Sequence, residues 1–185
     1  MISSFEKPGY ENTENALEVM LEGTRKYGVD QVVVASTRGN TGLAAAALLQ
    51  NTGIKLTVVT HNYGFNQPGT HEMSRETREK IESLGAKVLT GTMALRNIGT
   101  AIRGKQEYSQ QDLIANTLRI FCQGIKVCVE IVIMAADSGV ITPDDVIAVA
   151  GTGRGADTVA LIAPQSSNRL FDLKVREILA KPFSW

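Results

Sequence analysis

Cysteine is scarce in this chain: Cys122 and Cys128 are the only two among 185 residues. Six positions apart on a helix, they face different ways, so no disulfide is expected between them and no cystine framework supports the fold. Net charge is absent as well, because nineteen basic and nineteen acidic residues cancel. No dense Lys/Arg block occurs, which removes the attraction that nucleic acid or an anionic membrane would require. The longest apolar run, Val127 to Ala136, is short and broken by Glu130, and the start of the chain carries Glu6 and no apolar core segment. Neither a membrane span nor a secretory leader is expected from that, and a soluble, cytoplasmic protein is. His61 and His71 are the only histidines. No Cys or carboxylate spacing around them suits a metal, and no Ser or Cys nucleophile stands beside either in a recognisable frame.

What the chain does have is one informative stretch. The β-branched run Val32-Val33-Val34-Ala35 leads into Ser36-Thr37-Arg38-Gly39-Asn40-Thr41-Gly42 and then into the alanine-rich Leu43 to Leu49. That order reads as strand, phosphate loop and helix N-terminus, where free backbone N–H groups and the helix dipole favour an anion. Any strand-to-helix turn needs small, cap-forming residues, whether or not it binds anything. Here the donors are dense. Ser36, Thr37, Asn40 and Thr41 offer side-chain hydrogen bonds, Gly39 and Gly42 permit close backbone approach, and Arg38 can pair bidentately with an oxyanion.

The rest of the chain, of a length suited to one domain, follows an alternating pattern. Residues 1 to 11 read as an irregular lead-in. Asn12 then caps a helix with Ala16, Val19, Met20 and Tyr27 at helical spacing, ended by Gly28. Strands are expected over Gln31 to Ala35, Lys55 to Thr60, Ala86 to Thr90 and Val146 to Ala150, with an amphipathic helix over Arg75 to Leu84. Thr92 to Tyr108, interrupted by Gly99 and Gly104, reads as a mobile or partly helical lid. Ser109 with Asp112 forms a capping box for one long helix running to about Asp137. Thr158 to Ala163 and Leu170 to Leu179 read as strands with no helix between them. The fold class that follows is α/β: a doubly wound, mostly parallel sheet with helices on both faces and an antiparallel C-terminal strand.

Two further loops belong to the same expectation. His61 to His71 is long for a strand-to-helix connection and carries Asn62, Asn66 and Gln67; it is either a functional loop or a solvated one. Gly151-Thr152-Gly153-Arg154-Gly155 resembles a dinucleotide fingerprint, but no helix and no placed acidic residue follow it, so NAD and FAD rank below a ligand with one terminal phosphate. Arg154 and Asp157 either close on a ligand or pair with each other. Glu130 is a buried carboxylate whose ordinary role is that of a satisfied core acceptor.

Val32 to Ala47 and Asp145 to Leu161 together resemble the C-terminal α/β domain of pyruvate kinase, here without a catalytic barrel. The first segment is similar to that domain's strand, phosphate turn and helix; the second is similar to its final strand, effector loop and return strand. Asn40 and Thr41 stand where the turn commonly carries Arg and Ser, and the late loop lacks the usual Trp. The resemblance implies phosphate on Ser36, Thr37, Gly39, Asn40 and Thr41, with Gly153 to Asp157 folded above it, and no pyruvate kinase activity. Stand-alone members of the family are associated with flavin mononucleotide (FMN). The resemblance therefore implies a module that binds or senses a phosphorylated small molecule, with FMN as the named ligand and the His61 to His71 loop at the flavin's edge. The alternative is a small flavin-dependent oxidoreductase or another enzyme acting on a phosphorylated metabolite. Association into a homo-oligomer is compatible with either.

Overall fold

In the computed structural model, which describes residues 3–185, seven strands form one sheet in the order β1-β7-β6-β5-β2-β3-β4. The chain enters through β1 (Ser3–Phe5), which pairs parallel to the last strand, β7 (Lys174–Pro182). This edge strand corrects the expected irregular lead-in, whose first two residues lie outside the described ones. Its three residues are too few to show a period-2 pattern. A 3-10 turn at Tyr10–Asn12 then leads into α1 (Thr13–Tyr27). Asn12 does not cap this helix through its side chain, because its Nδ2 donates backwards to the Lys7 and Gly9 carbonyls. Gly28 closes α1 in the left-handed conformation, as its lack of a Cβ permits.

The central strand β2 (Gln31–Ala35) lies parallel between β3 (Lys55–Val59) and β5 (Val146–Ala150). Val32, Val33 and Val34 are all buried, which explains the unbroken apolar run: helices cover both faces. On one face lie α1, α2 (Asn40–Leu49) and α3 (Arg75–Ser83), with β4 (Lys87–Leu89) at the edge beyond β3. On the other face lie α4 (Asn97–Gln106), α5 (Gln110–Arg119) and α6 (Gln123–Asp137). From β5 the chain turns back into β6 (Thr158–Ala163), antiparallel to both β5 and β7, and a 3-10 turn at Ser167–Asp172 precedes β7. The sheet is thus mostly parallel with antiparallel pairing in its last strands. No helix among the described residues is long and apolar enough to cross a membrane.

Two expectations on the α4–α6 face need correction. The segment read as a lid holds a regular ten-residue helix, α4. Gly99 serves there as a contact point: a Cβ would press on Ser109 and Gln111. The single long helix is two helices, broken at Ile120 to Cys122. Cys122 caps α6, its Sγ accepting from the Ile125 N–H at 3.4 Å, and Gly124 brings that helix end against Thr158 of β6. Cysteine is not a customary cap, so no stop signal is visible at that position.

Candidate functional site

Parallel neighbours place the carboxyl ends of β2, β3 and β5 along one edge, where loops 36–39, 60–74 and 151–157 emerge together. The connection from β2 crosses one face of the sheet, whereas the chain reaches β5 from the helices on the other. A crevice opens at such a switch point. The cleft here has a volume of about 430 Å³ and is walled by these three loops and by one side of α6.

One end of the cleft is formed by the turn from β2 into α2. Gly39, at φ 99, turns the chain so that α2 begins at Asn40, and the Gly42 N–H is taken by Ser36 Oγ at 3.0 Å. Gly42 also lets α2 press on β3, because a Cβ would meet Val58 at 2.6 Å. The Asn40 and Thr41 N–H groups, at the first two helical positions, have no protein acceptor among the described residues. Thr41 is only 7% exposed, lines the cleft, and its hydroxyl is likewise unpartnered there. Arg38, Arg96, Arg154 and Lys126 line the same space against two carboxylates, Glu72 and Glu130.

Both carboxylates are already engaged. Glu130, on the buried side of α6, accepts from Lys126 Nζ, and from the Leu95 N–H at 2.8 Å. Burial pushes the Lys126 ammonium below its usual range, with the nearby Glu130 opposing the shift and the Arg119 and Arg96 charges adding to it. Glu72 Oε2 lies 2.8 Å from His61 Nδ1, and its Oε1 accepts from Asn66 Nδ2 at 2.6 Å. The opposite ring nitrogen, His61 Nε2, lies 3.3 Å from Thr37 Oγ1, and the imidazole stacks on Phe65 at 3.9 Å between centroids.

Of the residues expected from sequence, Ser36, Thr37, Arg38, Asn40, Thr41, His61, Gly151, Gly153, Arg154 and Gly155 line this cleft. Gly39 and Gly42 shape the turn without lining it. Asn62, Asn66 and Gln67 do not line it. Asn62 accepts from Asn97 Nδ2, Asn66 holds Glu72, and Gln67 is exposed, because their loop folds back on itself and on α4. Thr152 also stays out: its N–H donates to Asp157 Oδ2 at 3.0 Å, and its buried hydroxyl has no partner. Asp157 does not pair with Arg154. It is fully buried and ties the late loop to Gly9 and Thr152 through their N–H groups. Sequence reasoning missed Glu72, Arg96 and Lys126. Lys126 had a visible signal in its i,i+4 spacing to Glu130 inside an apolar helix, whereas Glu72 and Arg96 reach the cleft only through tertiary folding.

The sequence matches no family model. Among solved structures, NMN synthetase from Francisella tularensis is 19% identical over 58% of this chain and 43% of its own, with a TM-score of 0.36. A hydrogen sulfide-producing enzyme from Fusobacterium nucleatum is 20% identical over 53% and 30%, with a TM-score of 0.34. O-ureido-L-serine synthase is 18% identical over 52% and 30%, with a TM-score of 0.33. The chain spans less than half the length of each, and likeness at this level says nothing about activity.

Proposed function

We propose that the cleft binds a phosphorylated small molecule, with its phosphate at the N-terminus of α2. The observation that carries this is the pairing of two free amides with a Thr41 hydroxyl that has no protein partner and faces a cleft holding four cations and two engaged carboxylates. An oxyanion satisfies all of these donors at once. Arg38 and Arg154, on loops flanking that helix end, supply guanidinium groups for the remaining oxygens.

The ligand named by the resemblance is FMN, and the chain is then a stand-alone relative of the pyruvate kinase C-terminal domain. Support for the flavin comes from the apolar strip of α6, where Val127, Ile131 and Met134 line the cleft opposite the anion-binding end. The cleft volume lies within the range of small-molecule sites. With Asn66 and Gln67 outside the cleft, the flavin's polar edge would turn to Gln123 and Arg96, which line it.

Titration calorimetry with inorganic phosphate and with FMN tests this. Thr41→Val keeps the shape and removes one donor, and is expected to weaken both ligands by about 1–3 kcal/mol. Gln67→Ala, at an exposed position outside the cleft, is expected to leave both affinities unchanged. Absence of phosphate binding by the wild type would remove the site, and phosphate binding without FMN binding would remove the flavin alone. A second reading, an enzyme acting on a phosphorylated metabolite, is favoured by the hydrogen-bonded imidazole beside the anion-binding end.

A further inference from the structure

We infer that Thr37, His61 and Glu72 form a nucleophile–base–orienter chain, and that the site cleaves phosphate monoesters by transferring the phosphoryl group to Thr37. This rests on the phosphate site proposed above and changes the phosphate from an anchor into the reacting group.

The three side chains come from two loops: Thr37 from the turn after β2, His61 from the start of the connection between β3 and α3, and Glu72 from near the end of that connection. All three line the cleft. Their order selects the tautomer of a neutral His61 imidazole. The Glu72 carboxylate can only accept, so the proton between it and His61 sits on Nδ1, 2.8 Å from Oε2. Nε2 is then left with its lone pair, 3.3 Å from the Thr37 hydroxyl, which is the tautomer a base needs. Phe65 stacked on one face of the ring and the Asn66 bond to Glu72 hold this geometry from outside. Such a constellation is recognised by geometry and role, whatever the sequence positions.

In the first step Thr37 Oγ1 attacks phosphorus while His61 Nε2 takes its proton. The Oγ1–P bond forms, the P–O bond to the alcohol, in line on the far side of phosphorus, breaks, and the alcohol oxygen takes its proton from solvent while His61 keeps that of Thr37. In the second step water attacks phosphorus from the side the alcohol left and gives its proton to solvent. The Oγ1–P bond breaks, His61 returns the proton to Thr37 Oγ1, and inorganic phosphate is released. The Asn40 and Thr41 amides and the Arg38 and Arg154 guanidiniums offset the charge on the non-bridging oxygens. Glu72 touches no reacting atom and acts as a positioning residue.

The test uses p-nitrophenyl phosphate with the full chain. The wild type is expected to release p-nitrophenol, and acid quenching during turnover should leave one phosphoryl group on Thr37 by mass spectrometry. Thr37→Val and His61→Asn should lower kcat by at least about 100-fold. Thr37→Ser, which keeps the hydroxyl, should retain turnover and rule out a folding defect at that position. Glu72→Gln should lower kcat with little change in KM. Wild type that binds inorganic phosphate by calorimetry but hydrolyses nothing overturns this inference and leaves the phosphate site standing. Wild type that binds no phosphate overturns both. Turnover undiminished in Thr37→Val overturns the nucleophile.

Discussion

Glu130 and Lys126 show how much a single neighbour changes a residue's meaning. Their side chains are 1% and 3% exposed and paired along one turn of α6. Removing one member leaves the other almost fully buried and without its partner charge, which typically costs about 3–5 kcal/mol. Lys126→Met should therefore lower stability by that amount in urea unfolding, whereas Lys126→Met combined with Glu130→Leu should recover most of the loss. Equal losses in the single and double variants would mean that packing, and not charge, dominates there. The sequence disclosed Glu130 as a buried carboxylate because Val129 and Ile131 flank it. Lys126 was passed over although its i,i+4 spacing to Glu130 inside an apolar helix pointed to a buried pair, since a lone lysine reads by default as a solvated face. Residues placed by chain-local chemistry, from Ser36 to Gly42, were legible for the same reason: strand, turn and helix follow each other within a few positions. Glu72 was not, because its distance to His61 depends on how a fifteen-residue connection folds.

Among the elements, those with a strong local signature formed where the residues called for them. The capping box at Ser109 is one: its Oγ accepts from the Asp112 N–H at 3.1 Å and donates to Asp112 Oδ2 at 2.7 Å. Because Ser109 is 1% exposed and packs where α4 meets α5 at Gly99, its loss also leaves a buried end of α5 without its cap. Ser109→Ala is expected to cost about 1 kcal/mol, read from the denaturant midpoint. A cost near zero would show that another group takes over the Asp112 N–H. Elements without such signatures were misread in both directions. Gly99 looked like an interruption and is a packing contact inside α4, and Cys122 looked like helix interior and is the start of α6. β1 escaped notice because its pairing partner, β7, lies at the other end of the chain. That edge also bears on the site: Gly9, just after β1, donates to Asp157, and Thr13 at the start of α1 accepts from Ala156. The N-terminal segment thus fixes the glycine-rich loop that forms one wall of the cleft.

At the scale of the molecule, α6 is the central layer of one face, in contact with strands β2, β3, β5 and β6, so a change at its heart reads out as global stability. Cys128 lies at that heart, fully buried, with its Sγ 3.6 Å from the Ala148 carbonyl of β5. Burial pushes its thiol well above the ordinary value of 9.0, with the nearby Cys122 and Asp157 adding to the shift. The folded chain therefore holds this proton where the unfolded chain releases it. Above the unfolded value the folded state binds more protons than the unfolded one, so stability falls as pH rises, and the contribution is complete only below that value. One such group corresponds to a slope of about 1.4 kcal/mol per pH unit. Cys128→Ala removes the titrating group and leaves a small void in its place. Its stability at pH near 8 should be below that of the wild type, but the loss on going from about pH 9 to about pH 10 should be smaller by roughly 1 kcal/mol, since half of the unfolded thiols are still protonated at the start of that range. Urea unfolding of both proteins across that range decides the matter, and parallel stability curves would show that Cys128 does not govern the alkaline limb.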